Sequence, residues 1–337
     1  MVGERREIRL AGEGDAVSGA FLAVDRAFLP EIYGSLEIAV VGENAHSLAL
    51  EVQRRLVPGG VLMASDQPND DYPLLAHYTG STPIEIPIET RPSVCRCVRV
   101  DFVDSLQAVE RCLSDAINSG QCACWIRNTV ADAREAFTRL KALHPEWQIN
   151  LFHARFTLAD RLSIEQGVLE RFGKSSNHQQ RKGQILIATQ VVEQSLDLDF
   201  DRLITDLAPV DLIIQRAGRL HRHRRDTLGN RIDDADQRAE PTLIIHAPAW
   251  CDEPEADWYK NVFPRAQTVY DDHGQLWLTM KLLRAKGSIQ MPEDARTLIE
   301  GVYGEDNEIP EGLWQASAEA KGENRAKASI GVLNQLK

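Results

Sequence analysis

Residues 215–222 read QRAGRLHR, and this octapeptide holds the densest chemistry in the chain. Gly218 permits tight backbone geometry just before Arg219, and arginines three apart share one side of a helix or turn. Two guanidinium groups are thereby directed toward one anion. In nucleotide motors such arginines stabilise charge on the transferring phosphoryl group, an effect of roughly 10³ to 10⁵ in rate. Gln215 is placed to orient a phosphate oxygen or an attacking water. The bland alternative for the same spacing is a solvated basic helix terminus.

A second stretch, ILIATQVVEQSLDLD at 185–199, reads as a strand ending at Thr189 and a loop returning to Asp197. A hydroxyl at the carboxyl edge of a strand can bond a nucleic-acid phosphate, as can the N–H groups of the following turn. Thr189 is therefore a candidate DNA contact, and Asp197, taken by itself, reads as a helix-capping or surface carboxylate. Arg155 and Asn128 sit just past strand ends, where a parallel sheet presents ligand-facing loops. DNA-backbone contact and internal hydrogen bonding or capping are both open to them. His153 is expected to pack near its strand end. His221 and His223 form an H-x-H pair without a third ligand, which favours phosphate or solvent contact over a metal, and no metal site is expected.

Positioning these residues requires a sheet, and from Val94 the chain alternates strand and helix patterns. Strands are expected at 94–102, 122–127, 149–153, 184–188, 202–205 and 241–246, and helices at about 105–118, from 129 onward, at about 157–172 and at about 211–220. Asp104 is the expected cap of the first helix, and two T-x-x-D capping boxes, Thr129 to Asp132 and Thr157 to Asp160, open the next two. Alternation of this kind predicts an α/β fold, a parallel sheet with helices on both faces. Before it, residues 1–90 form an N-terminal segment with a small β-α-β-like unit: a strand at 36–41, a helix at 46–56 and a strand near 61–64. Residues 70–90, with Pro73, Pro83, Pro87 and Gly80, read as an irregular connector. Residues 91–247 form the main domain, and residues 248–337 a linker and C-terminal helical extension.

At 337 residues the chain is long enough for about two domains on the rough scale of 100 to 200 residues each. No run of 18 apolar residues suggests a membrane span. Met1 to Leu10 is charged, with no apolar h-region, which predicts a cytoplasmic address. The net charge of -12 excludes simple coating of nucleic acid, which needs a basic surface, but leaves room for a local basic channel. Arg216, Arg219, Arg222, Arg224 and Arg225 are bunched where such a channel would lie. The C-x-C pairs Cys95/Cys97 and Cys122/Cys124 fall in strand-like runs, so strand packing is expected of them rather than zinc, which prefers C-x-x-C on a turn.

QRAGRLHR looks like motif VI of superfamily 2 helicases, and ILIATQVVEQSLDLD resembles motif V. ATQVVEQSLDLDFD at 188–201, LITDLAP at 203–209, QRAGRLHRH at 215–223, LFHARFTLADR at 151–161 and WIRNT at 125–129 together resemble the CRISPR-associated helicase-nuclease of type I (Cascade) systems. The resemblance runs from about Val94 to Ala247 and thins toward Leu333. It implies a second RecA-like motor domain, in which Arg219 and Arg222 are arginine fingers. Gln215, Arg216 and Asp197 are then nucleotide-binding, with Arg216 structural or close to the nucleotide and Asp197 at the ribose, while Thr189 holds single-stranded DNA. Ser195 departs from the glycine many superfamily members have there.

Family members also carry a first RecA-like domain with the phosphate loop, and an HD nuclease. The sequence holds no G-x-x-x-x-G-K-[ST] loop and no D-E-x-[DH] box. The implied ATP and Mg would therefore be bound jointly with a first RecA-like domain supplied in cis or in trans, and the implied partners are single-stranded DNA and the Cascade complex. Residues 37–42 and 57–62 resemble instead the C-terminal part of DUF255-type thioredoxin-domain proteins. Two alternatives stand beside the motor: one half of a split motor, or a noncatalytic or degenerate nucleic-acid-binding or interaction fragment.

Overall fold

The computed structural model describes residues 6–8, 21–24, 37–41, 74–79, 82–87, 95–193, 196–304, 307–320 and 322. They fall in two compact units. One comprises residues 1–96, 290–297 and 324–337, and the other residues 97–289 and 298–323.

In the first unit, strands β1 (Arg6–Ile8), β2 (Phe21–Val24), β3 (Glu37–Val41), β4 (Leu74–Thr79) and β5 (Thr82–Pro87) form a five-stranded sheet in chain order. Every pairing between neighbours is antiparallel. The strand expected at 36–41 is β3, while the helix and second strand of the expected β-α-β unit lie outside the described residues. The segment read as an irregular connector carries instead the β4–β5 pair, in a register that sets Leu75 opposite Ile86 and His77 opposite Ile84. Its prolines misled the reading. Pro83 and Pro87 sit on β5, the edge strand, where a missing N–H breaks no ladder.

The second unit is built on a seven-stranded sheet in the order β12-β6-β11-β10-β7-β9-β8. Its strands are β6 (Arg96–Val103), β7 (Ala123–Ile126), β8 (Gln148–Phe152), β9 (Gln184–Ala188), β10 (Arg202–Asp206), β11 (Thr242–His246) and β12 (Ser288–Met291). All pairings among β6, β11, β10, β7, β9 and β8 are parallel. Helices α1 (Leu106–Asn118), α2 (Val130–Leu143), α3 (Leu158–Phe172), the short α4 (His178–Arg181) and α5 (Val210–Ala217) lie in the connections. Covered on both faces, the central strands read as continuous apolar runs. Val109, Leu113, Ala133, Ala136 and Leu140 of α1 and α2 bury against Trp125, Ile185, Ile187 and Ile204 of one face. Cys122 and Cys124 are core residues, as expected, whereas Cys95 and Cys97 face outward at the start of β6.

Both T-x-x-D boxes cap as expected. Thr129 Oγ1 accepts from Asp132 N at 3.0 Å, and Thr157 Oγ1 from Asp160 N at 3.3 Å. The cap of α1 is Ser105, not Asp104, because the Ser105 hydroxyl is one residue nearer the free N–H of Ala108. Beyond β11 the extension holds α6 (Trp258–Val262), α7 (His273–Lys286) and α8 (Ala295–Tyr303), but it is not purely helical. Gly287, at φ 69°, ends α7 in the left-handed conformation and turns the chain back to add β12 at the sheet edge.

The loop after α5 is anchored by buried charge. Arg181, Arg225 and Arg238 converge on Asp199 and Asp201: Arg181 Nη2 and Arg238 Nη1 each donate to Asp201 Oδ1 at 2.8 Å, and Arg225 Nε donates to Asp199. Asp201 Oδ2 also accepts the N–H of Cys122 at 3.0 Å, joining the entries of β7 and β10. Burial acts to raise the Asp201 carboxyl, but Arg181 and Arg238 outweigh it and hold the group well below the usual carboxylate range.

A carboxylate depressed in the folded state stabilises above its unfolded value and loses that contribution as acid protonates it. The stability contributed by Asp201, read by denaturant titration as the difference between the chain and Asp201→Asn, should thus be steady from neutral pH to about 5 and fall below about 4, the ordinary carboxylate value. Asp201→Asn should cost about 3 kcal/mol at neutral pH, by stranding buried arginines, and should flatten the acid limb. An unchanged acid limb in that variant would contradict the assignment.

Candidate functional site

The connection from β7 runs toward β8, and that from β10 toward β11, although β7 and β10 are neighbours. Connections diverging from adjacent parallel strands open a crevice outside their carboxyl ends. The residues just past β7 and at the end of β10 fill it. Arg127 Nε donates to Asp206 Oδ2 at 2.7 Å, and His246 Nδ1 lies 3.1 Å from Asp206 Oδ1. Burial pushes the Asp206 carboxyl up, but Arg127 and His246 prevail and bring it down to about 2.

Asn128 and Arg216 meet beside this pair. Arg216 is fully buried on α5. Its Nε donates to Glu193 Oε1 at 2.7 Å, and its Nη1 to Thr205 Oγ1 at 2.6 Å, Asp206 O at 3.1 Å and Asn128 Oδ1 at 3.2 Å. Asn128 spends its amide on Leu207 O at 2.7 Å and on the Tyr259 hydroxyl at 3.1 Å. Both side chains are buried and spend these hydrogen bonds within the protein.

Arg219 stands one turn on, in the loop that follows α5, and differs from Arg216. Its Nη2 donates to the Glu193 carbonyl, and its Nε is buried without a hydrogen-bond partner. Burial, and then the neighbouring charge of Arg222, outweigh Asp197 and Glu193 and lower its proton affinity. Arg222 is exposed, with Nε on Asp197 Oδ1 at 2.7 Å, and His223 Nε2 shares that oxygen at 2.9 Å. Burial acts to raise the Asp197 carboxyl, but His223 and Arg222 lower it overall. Arg219 and Arg222 lie along the loop after α5, which Asp197, from the connection between β9 and β10, meets through Arg222 and His223, and Gln215 is half-buried a turn earlier on α5. The backbone of that loop is pinned where Arg222 N donates to Asp199 Oδ1 at 2.9 Å.

Thr189 follows β9 and is buried, its N–H donating to Phe152 O at 3.2 Å, which ties it to the end of β8. Arg155 follows β8 and is exposed. Its N–H donates to His153 Nδ1 at 3.2 Å, and His153 stacks on Phe156 at 4.2 Å, packed as expected. His221 Nε2 lies 3.2 Å from the Asp201 carbonyl. Burial, then Arg238, push its imidazole down to about 4. Ser195 lies outside the described residues.

The basic run of 216–225 is not a basic surface. Arg216 and Arg225 are fully buried against carboxylates, and of the five arginines only Arg222 and Arg224 are exposed. Sequence reasoning missed Glu193 and Asp206, although both lie inside the quoted motifs and interior arginines need such counter-charges. It also missed Tyr259 and Tyr270. From the extension, Tyr259 OH donates to Leu207 O at 3.2 Å, and Tyr270 OH accepts from Gln190 Nε2 at 3.1 Å and Arg216 Nη2 at 3.3 Å. Two tyrosines carry no spacing signal.

Comparison with known proteins agrees with this geometry. Residues 119–225 match the family model described as CRISPR-associated nuclease/helicase Cas3, C-terminal. The CRISPR-associated endonuclease/helicase Cas3 of Escherichia coli is 36% identical over 258 residues, which is 75% of this chain and 26% of that protein. Among solved structures, T. fusca Cas3-AMPPNP superposes with a TM-score of 0.69 at 30% identity, over 85% of this chain and 33% of that one. A chain of a CRISPR RNA-guided surveillance complex, pre-nicking, superposes at 0.63 and 27% identity, over 80% and 33%. The chain thus spans about a quarter of the E. coli relative's length. Its second unit has the RecA-like fold of these structures, and residues 119–225 within it are similar to the C-terminal part of Cas3.

Proposed function

We propose that this chain supplies the second half of an ATP-dependent motor that moves on single-stranded DNA in CRISPR defence. The carrying observation is the loop after α5: Arg219 is buried with an unused Nε, and Arg222 stands exposed beside Asp197. A γ-phosphate oxygen would accept from Arg219 and draw Arg222 from Asp197, so both would act as arginine fingers. Gln215 would orient a phosphate oxygen or water, and Asp197 would meet the ribose. Arg216 would act by position, holding α5 against Glu193.

The nucleotide needs a second wall. Among the described residues no cluster of His, Cys, Asp or Glu could hold a metal ion, so Mg would come with the phosphates and a first RecA-like domain. That domain and an HD nuclease would act in cis or in trans. By likeness to the chain in the surveillance complex, the assembled protein would serve Cascade, in the cytoplasm. Among the described residues no helix is long and apolar enough to cross a membrane. At the carboxyl edge of the sheet, Thr189 and Arg155 would hold the DNA backbone, while Asn128 supports the loop from within.

The chain alone should show negligible DNA-stimulated ATP hydrolysis, and mixing with a phosphate-loop domain should restore it. In that mixture Arg219→Ala or Arg222→Ala should lower turnover by about 10³ or more. Robust turnover by the chain alone, or indifference to both substitutions, would sink the reading and favour a noncatalytic fragment. Separately, Arg155→Ala and the isosteric Thr189→Val should weaken oligonucleotide binding several-fold, read by fluorescence anisotropy, with thermal midpoints unchanged. Equal affinity in both variants would remove these residues from the DNA path.

A further inference from the structure

Two exposed cations of this acidic chain are held by aromatic rings rather than by carboxylates. Arg127, Arg181, Arg216, Arg222, Arg225, Arg238 and Arg265 are each paired with a carboxylate. Lys281 and Arg284, both exposed on α7, are held on aromatic faces instead. Lys281 Nζ lies 4.9 Å from the Trp277 ring centre, and the Arg284 guanidinium 5.5 Å from Trp250 and 5.7 Å from Phe102. No carboxylate among the described residues pairs with either cation. A charge kept on a ring face in a chain of net charge -12 remains available to an anion.

The rings form a braced platform. Trp250 stacks on Trp277 at 5.2 Å and 21°, and Trp277 Nε1 donates to Cys251 O at 2.9 Å. Trp250 Nε1 donates to Asp252 Oδ1 at 3.2 Å. Between Trp250 and Phe102 a cleft of about 360 Å³ opens, lined also by Asp104, Met280 and Arg284. Phe102 is the penultimate residue of β6, Trp250 follows the neighbouring parallel strand β11, and so the cleft sits at the carboxyl edge of the sheet that also carries Thr189 and Arg155.

We propose that this cleft is a nucleotide-stacking site for single-stranded DNA, a further station on the strand's path across the carboxyl edge. One base lies against Trp250 and Phe102, Asp104 accepts from a base N–H, and Arg284 and Lys281 take the flanking phosphates. Stacking platforms flanked by cations are how single strands are held without reading sequence. The inference rests on the DNA-motor reading and extends it to a site outside the helicase motifs.

The test uses the full chain and thymine oligonucleotides carrying one 5-iodouracil at successive positions, with photo-adducts mapped by mass spectrometry. An adduct on Trp250 or Phe102 is expected. Trp250→Ala should weaken binding about tenfold, the scale of one stacked base, and Trp250→Phe should restore most of it. Arg284→Gln should reduce the slope of log affinity against log salt by about 0.7, one phosphate. Thermal midpoints of Trp250→Phe and Arg284→Gln, measured alongside, separate contact from folding. Binding with adducts only elsewhere and an unchanged Arg284→Gln slope would overturn the cleft and leave the motor reading standing. Competition by thymidine monophosphate as effective per nucleotide as the oligonucleotide would overturn the strand assignment. No oligonucleotide binding at all would overturn both.

Discussion

Arg216 is the constraint on which the rest of the second unit depends. A guanidinium with no solvent exposure must find its partners inside the protein, and it draws them from four segments: Glu193 after β9, Thr205 and Asp206 on β10, Asn128 after β7 and Tyr270 from the extension. Removing Glu193 would leave that charge unmatched, at a cost of about 3 to 5 kcal/mol. The same ring of contacts sets the end of α5, and through it the loop that carries Arg219 and Arg222. The exposed chemistry is therefore positioned by a buried charge that has no need to touch a ligand.

The sheet was legible because its signals are local. Apolar runs such as 185–188 and the T-x-x-D caps at 129–132 and 157–160 mark strands and helices whatever lies around them. What escaped is set by distant parts of the chain. Pro83 and Pro87 look like breakers until β5 is known to be an edge strand. Residues 288–291 are too short to announce a strand, and only their place beside β6 makes them one.

At the site, the spacing of QRAGRLHR identified the arginines but not which of them face outward. A helical turn puts Arg216, Arg219 and Arg222 on one side, yet the end of α5 at Ala217 divides them, leaving one in the core and one in solvent. The counter-charges were in view as residues but not as partners, since Asp199 and Asp201 meet Arg225 and Arg238 across more than twenty positions of sequence. Counting formal charge along the run overstated its basic surface for the same reason. Two further cations, Lys281 and Arg284, are held by aromatic rings rather than by carboxylates, a distinction that composition does not record.

The central claim is that this chain is half of a nucleotide site, preorganised from within and completed from outside. The most direct measurement is a structure of the chain assembled with a phosphate-loop motor domain and trapped with ADP and aluminium fluoride. The account predicts the Arg219 and Arg222 guanidinium groups within hydrogen-bond distance of the fluoride, with Arg216 still on Glu193 and the Arg222–Asp197 pair opened. A trapped complex in which both arginines remain turned from the nucleotide would contradict it.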